Sequence, residues 1–194
     1  RYKKSNISWH DYDIVKKLNI DTKFDYIIFL AGIASPYYYN KFPLETLNIS
    51  TTGLQNIFNI PSKKNSKVIF FSSSEIYGDP DKNNIPTSET YRGNVSSLGP
   101  RSCYDESKRL GETICYVQSR NFSRNSSIIR PFNVYGPGMN INDYRIIPNI
   151  TKSFITNDQL KIYDKGKQTR TYCHIVDAMN GFLRVIFEEN KFSV

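Results

Sequence analysis

The segment CYDESKR, residues 103–109, sets a tyrosine four residues before a lysine, Tyr104 and Lys108. On a helix, residues i and i+4 share a face, so the pair would hold an ammonium beside a phenol. A free tyrosine has a pKa of about 10. To act as a base near neutral pH it must shift by roughly 2–3 units, or about 3–4 kcal/mol. A nearby cation favours the phenolate. Spacing alone selects nothing, because the chain has 14 Tyr and contains Tyr12/Lys16, Tyr37/Lys41 and Tyr163/Lys167 at the same interval. Local structure and distant partners must choose among them.

Tyr163 stands three residues before Gly166, in a turn, where the two side chains have no reason to converge. Tyr37 lies between Pro36 and Pro43, in a loop or a helix start. Tyr12/Lys16 fits a helix, yet no polar cluster accompanies it. Tyr104/Lys108 opens a segment with helical spacing of Tyr104, Leu110, Ile114 and Val117. Upstream, FFSSSEIYG (70–78) ends an apolar strand in Ser73, Ser74 and Glu75. A serine hydroxyl there could orient an alcohol while the phenolate takes its proton and a hydride leaves its carbon for an oxidised nicotinamide.

The elements that must position these groups follow from the apolar runs. YIIFLA (26–31), KVIFFS (67–72) and SSIIRPF (126–132) read as strands. None alternates cleanly, which suits a parallel sheet covered on both faces. Helical spacing joins them, over residues 44–60 up to Pro61 and over 102–121. Strand, helix, strand, helix, strand implies right-handed crossovers and a doubly wound α/β sheet, with ligands at the carboxyl ends of the strands. SKKNSK (62–67) reads as a polar loop. After NVYGPG (133–138) the pattern changes. A helix is expected at about 146–157, strand-like sequence over 160–176 with a turn at Lys165-Gly166, and a last helix capped by Asp177 and running to about Glu189. Residues 1–135 are therefore assigned to a partial nucleotide-binding domain, and 136–194 to the start of a smaller substrate region.

Composition narrows the function classes. The 194 residues, 39% hydrophobic, can bury a core. No apolar run approaches the roughly 20 residues of a membrane span, and no apolar stretch follows the basic start to form a signal peptide. A cytoplasmic location is expected. Cys103, Cys115 and Cys173 form no ligand cluster and read as reduced thiols. His10 and His174 are isolated, so no metal site is expected. The net charge of +8 comes from scattered lysines without a basic-aromatic ladder. It reads first as a lysine-rich solvated surface; as a binding feature it fits a small anionic ligand better than nucleic acid.

These residues resemble the extended short-chain dehydrogenase/reductases that act on nucleotide sugars, from HDYD (10–13) to VDAMNG (176–181). IPTSETYRGNVSSLGPRSCYDESKRLGETICY, YGPGMNINDYRIIPNI and GKQTRTYCHIVDAMNG look most like UDP-glucuronate decarboxylases and their close bacterial relatives. The resemblance implies a Rossmann-like fold, NAD as cofactor, a nucleotide-sugar substrate and a homodimer. It makes Tyr104 the catalytic base and Lys108 its partner, which also holds the nicotinamide ribose. It gives Ser73 the sugar hydroxyl and adds Ser74 and Glu75 to the catalytic set. It places Asp11 and Tyr12 near the adenine, and Leu30, Ala31 and Gly32 at the turn passing the cofactor phosphates. Ser50, Ser72 and Pro131 join the cofactor contacts, with Ser50 standing where the family carries Asn. Asn133, Arg145 and Arg170 fall to the nucleotide-sugar side. From their types alone, Asp11 could be only a helix cap, Glu75 a structural carboxylate, Asn133 a turn residue and Arg170 a surface charge.

The family's glycine-rich phosphate loop does not precede the first strand, and the sequence does not begin with Met. The first βαβ portion is thus expected to belong to a longer protein, and these residues by themselves to bind dinucleotide poorly. The reaction implied is NAD-dependent passage through a 4-keto sugar, most specifically decarboxylation of UDP-glucuronate to UDP-xylose or its 4-keto form. A 4-epimerase or a 4,6-dehydratase shares the first step, although dehydratases carry Asp where Ser74 stands. A non-catalytic nucleotide-sugar or dinucleotide binder is the competing class.

Overall fold

The computed structural model describes residues 7–160, 162, 166, 169–189 and 192–194. In chain order the elements are β1 (Phe24–Phe29), α1 (Pro36–Lys41), α2 (Pro43–Asn48), α3 (Leu54–Phe58), β2 (Ser62–Phe71), α4 (Ser102–Phe122), β3 (Asn125–Ile129), β4 (Asn133–Tyr135), α5 (Ile146–Thr156), β5 (Tyr172–His174), α6 (Ile175–Phe187) and β6 (Phe192–Ser193). The main sheet runs β1-β2-β3-β6, parallel throughout. A second, two-stranded sheet pairs β4 with β5, also parallel.

The absence of alternation in the strands has its reason in the core. Val68, Ile69 and Phe70 of β2 are successive and all buried. Val68 and Phe70 face a cluster with Phe29 and Ile128 of the neighbouring strands, Leu54, Ile57 and Phe58 of α3 and Cys115 of α4. Ile69 faces the other way, into a cluster with Ile129 and Ile186 of α6. Helices on both faces leave no polar side for the strand to show. Gly111 sets how closely α4 lies on the sheet: a Cβ there would come within 2.4 Å of the Phe70 ring and 3.2 Å of the Ser50 carbonyl.

Several elements differ from the sequence reading. The polar stretch 62–67 is not a loop; it is the first part of β2, opposite Phe24 and Tyr26. Lys67 can sit there, buried, because its Nζ donates to the carbonyls of Val185 and Glu188 at 3.0 and 2.8 Å. Burial lowers its pKa. Residues 43–58 are helical throughout, as the spacing predicts, but not as a uniform α-helix. A π turn at Ile49–Gly53 separates α2 from α3 and buries Ser50 and Gly53. Tyr12/Lys16 is not helical, since Asp13 closes a short turn with Lys16. The last helix is capped by His174, whose ring accepts from the Val176 N–H, and Asp177 falls in the first turn. Strand structure within 160–176 is confined, among the described residues, to Tyr172–His174. Tyr163 and Lys167 lie outside the described residues. No helix among the described residues is long and apolar enough to cross a membrane.

Candidate active site

The end of β2 and the first turns of α4 build the site. Ser73 follows β2 in extended conformation and starts a short 3-10 turn, Ser74–Tyr77, where its Oγ accepts from the Glu75 N–H at 3.3 Å. The main chain is tied to the end of β3: Ser72 N–H donates to Ile129 O at 2.8 Å and Ser74 N–H to Pro131 O at 3.0 Å. Parallel pairing thus brings Ser72, Ser73, Ser74 and Pro131 to one edge of the sheet.

Tyr104 and Lys108 project from one face of α4 toward that edge. Tyr104 is buried, stacks on Tyr39 of α1 with centroids 5.4 Å apart, and has the Ser73 hydroxyl as a neighbour that favours its phenolate. Lys108 is buried too. Its Nζ donates to Phe71 O at 2.8 Å and stands 5.0 Å from the Phe70 ring centre and 5.9 Å from that of Tyr104. The other described pairs gather no such set: Tyr37 stacks on Tyr144 while Lys41 lies over Phe42.

The electrostatics correct one expectation. The pKa of the Tyr104 phenol is not lowered; burial raises it, and the neighbouring Ser73 hydroxyl only partly opposes this. Lys108 is itself drawn toward neutrality, its pKa lowered to about 8 by burial. The ammonium lies over the ring and is directed at the Phe71 carbonyl, so it does not bond the phenol oxygen. Both groups pay the desolvation of a charged form in low dielectric.

Around this pair stand residues that the sequence reading passed over. Glu75 is ion-paired with Arg101, which also lies 3.7 Å from Asp105. The i,i+4 spacing of Arg101 and Asp105 was the available signal. Ser72 Oγ donates to Glu112 at 2.6 Å, and Arg130 grips the same carboxylate with two bonds of 2.9 and 2.7 Å. A charged residue within the apolar run SSIIRPF demands a partner, and that demand pointed to Glu112 or its like. Tyr39 lies in α1, the helix start that Pro36 allowed, but nothing in its spacing pointed to Tyr104.

The remaining positions divide. The Leu30–Gly32 turn follows β1, with Leu30 exposed and Ala31 against the core. A Cβ at Gly32 would lie 3.3 Å from Lys108 Nζ, so this turn reaches the cluster. Ser50 is buried where α4 carries Gly111. Asp11 and Tyr12 are exposed on the N-terminal segment, with Tyr12 stacked on His10, and are not gathered round the phenol. Asn133 starts β4 and donates to Thr171 O at 3.0 Å, which ties it to the chain beside Arg170. Arg170 is exposed, its guanidinium donating to Thr169 O at 2.7 Å. Arg145 caps α5 and is held by Asp143 at 2.6 Å, which keeps that carboxyl below its usual range.

A parallel sheet covered on both faces, with serine, tyrosine and lysine brought together at its strand ends, defines the class of dinucleotide-dependent α/β proteins. The chain belongs to the NAD dependent epimerase/dehydratase family, whose model matches residues 3–193. It is 36% identical to UDP-glucuronic acid decarboxylase 1 of Xenopus tropicalis over 181 residues, covering 93% of this chain and 42% of that protein. It is 35% identical to UDP-glucuronic acid decarboxylase 6 of Arabidopsis thaliana over 175 residues, covering 90% and 50%. The chain thus spans half or less of the length of these curated relatives. In fold it is similar to an epimerase from Methanothermobacter thermautotrophicus, with a TM-score of 0.81 at 22% identity over 99% of this chain and 58% of that one.

Proposed function

We propose that this chain carries the catalytic edge of an NAD-dependent enzyme that converts a nucleotide sugar through a 4-keto intermediate, and that its reaction is decarboxylation of UDP-glucuronate. The observation that carries the reading is the convergence of Ser73, Tyr104 and Lys108 at the end of β2. The identity to UDP-glucuronic acid decarboxylases supports the choice of substrate.

The residues present fit the cofactor. Lys108 Nζ has three N–H donors and gives one to Phe71 O, which leaves donors for ribose hydroxyls. Gly32 keeps the approach to that nitrogen clear of a side chain. When bound, NAD supplies a hydride acceptor that can return the hydride, and a positive ring that favours phenolate. Ser73 holds the 4-hydroxyl of the sugar, and Tyr104 accepts its proton. The resulting ketone is β to the sugar carboxylate, so carbon dioxide leaves with its electrons delocalised toward the ketone oxygen. Ser73 and the newly protonated Tyr104 are placed to hydrogen-bond that oxygen as charge develops. Glu75, fixed by Arg101, is the carboxylate nearest in sequence to this edge for the proton steps that follow.

The test is a reaction screen on the full-length protein with NAD, offering UDP-glucuronate, UDP-glucose and dTDP-glucose. Carbon dioxide release from UDP-glucuronate is expected. Epimerised UDP-glucose or a 4-keto-6-deoxy product from dTDP-glucose, without carbon dioxide from the first, replaces decarboxylation by one of the sister reactions. Binding without turnover of any of the three sinks the enzymatic reading.

A further inference from the structure

We propose that Asp105 is a positioning residue that, through Arg101, fixes the carboxylate of Glu75 beside Ser73. The proposal rests on the reading above only in that Glu75 takes part in turnover. Arg101 is the first residue before α4 and Asp105 lies one turn on, next to Tyr104. The guanidinium stands between two carboxylates that come from different parts of the fold. Its Nη2 pairs with Glu75 on the turn after β2, and its Nε lies 3.7 Å from Asp105 Oδ2. Arginine's fork is rigid and planar, so a partner on Nε fixes where the Nη groups point. Arg101 and Glu75 are half-exposed. Asp105 is buried at 8% exposure, so it is the anchored member of the three. Its other oxygen, Oδ1, is buried with no hydrogen-bond partner.

A buried carboxylate with an unsatisfied oxygen is costly. If Asp105 served only stability, an apolar or amide side chain would do better. The groups facing it are Arg101, Glu75 from the turn after β2, Tyr39 from α1, and Cys103, Tyr104 and Glu106 from its own helix. Arg101 is the cation among them. Burial raises the Asp105 pKa to about 6, with Arg101 opposing and Glu75 adding to the rise. A folded value above the ordinary 3.8 means that this group's stabilising contribution is complete below 3.8 and lost as pH rises through about 6. At pH 7.5 the ionised Asp105 therefore holds Arg101 at the expense of stability.

Three measurements on the full-length protein test this. In thermal melting at pH 7.5, Asp105→Asn should not lower Tm, whereas a merely structural ion pair would lose stability on the same change; a clear loss overturns the proposal. The Tm changes of Asp105→Asn and Glu75→Gln should be non-additive with Arg101 present and additive in an Arg101→Met background. Additivity with Arg101 present, or a coupling that survives its removal, overturns it. Should Arg101→Met not fold, Arg101→Lys is read the same way, because lysine lacks the fork. In turnover of UDP-glucuronate, Asp105→Asn should lower kcat about tenfold, within the range for contacting residues, with KM little changed. It should also flatten the fall in kcat as pH drops through about 6. Asp105→Glu, which keeps the charge, should restore that fall. A full wild-type rate and profile in Asp105→Asn overturns the proposal. Absence of turnover by the wild-type protein removes the functional reading instead, and leaves the melting cycle to decide on Asp105.

Discussion

The edge at the end of β2 and the region carrying β4, β5 and α5 hold their polar residues by different means. In the first, Ser73, Tyr104 and Lys108 are each less than a tenth exposed, and the core beneath them sets their positions. Gly111 lets α4 touch Phe70, and Phe70 lies under Lys108. In the second, Arg145 and Arg170 are exposed, and among the described residues their guanidiniums are held by neighbours close in sequence, Asp143 and Thr169. One region is arranged before any ligand arrives. The other offers charges that a ligand could order. Chemistry needs the first kind of placement, because a reacting atom must meet its base within a few tenths of an ångström. Binding a flexible diphosphate tolerates the second.

The largest effect that separates the two regions is expected from Tyr104→Phe. It removes one oxygen and keeps the ring stacked on Tyr39. Turnover should fall by about 10²–10⁴, the range for a positioned acid–base group, while affinity for the nucleotide sugar stays within a few-fold. Calorimetry with UDP-glucuronate beside a carbon dioxide assay measures both. Turnover comparable to wild type would remove the phenol from the mechanism and leave the first region as packing.

Lys108→Met sharpens the same point through stability. The folded pKa of Lys108, about 8, lies below its ordinary 10.5. Its stabilising contribution is therefore complete above 10.5 and lost as pH falls toward 8. At pH 7 the buried ammonium withholds on the order of 3 kcal/mol, partly offset by its bond to Phe71 O. Methionine fills similar volume without the charge. Melting at pH 7 should show the variant no less stable than wild type, with the relation turning against it as pH approaches 10, and with turnover lost. A large loss of stability at pH 7 would make Lys108 a structural residue.

What the sequence disclosed follows the same division. The strands and α4 were legible because buried apolar runs and helical spacing mark them in the sequence. The polar start of β2 was not legible. Lys67 there is satisfied by carbonyls of Val185 and Glu188, more than a hundred positions away, and no local pattern records that. The π turn at Ile49–Gly53 inside the helical segment left no trace in the spacing of its apolar residues. The phenol's raised pKa was missed for a related reason. Spacing shows that an ammonium is near, but only coordinates show that burial dominates and that the ammonium bonds a carbonyl. Arg101 and Asp105 carried only their i,i+4 spacing as a signal, and Arg130 within an apolar run called for a carboxylate without showing which.

The smallest effect should come from Asn133→Ala, and it probes what holds the second region together. Asn133 pairs with Tyr172 in the β4–β5 register, and its side-chain amide donates to Thr171 O, next to Arg170. This is a half-exposed neutral hydrogen bond, worth about 0.5–1.5 kcal/mol. If its role is to steady the segment bearing Arg170, its loss should raise KM for the nucleotide sugar a few-fold and leave kcat alone. Arg170→Ala should then mask the effect, since freeing a segment whose guanidinium is gone costs nothing more at the diphosphate. If Asn133 instead touches the ligand directly, the two changes should multiply. The double variant decides between a tether and a contact, and a fall in kcat in either single variant would show that the exposed region is as preorganised as the edge of the sheet.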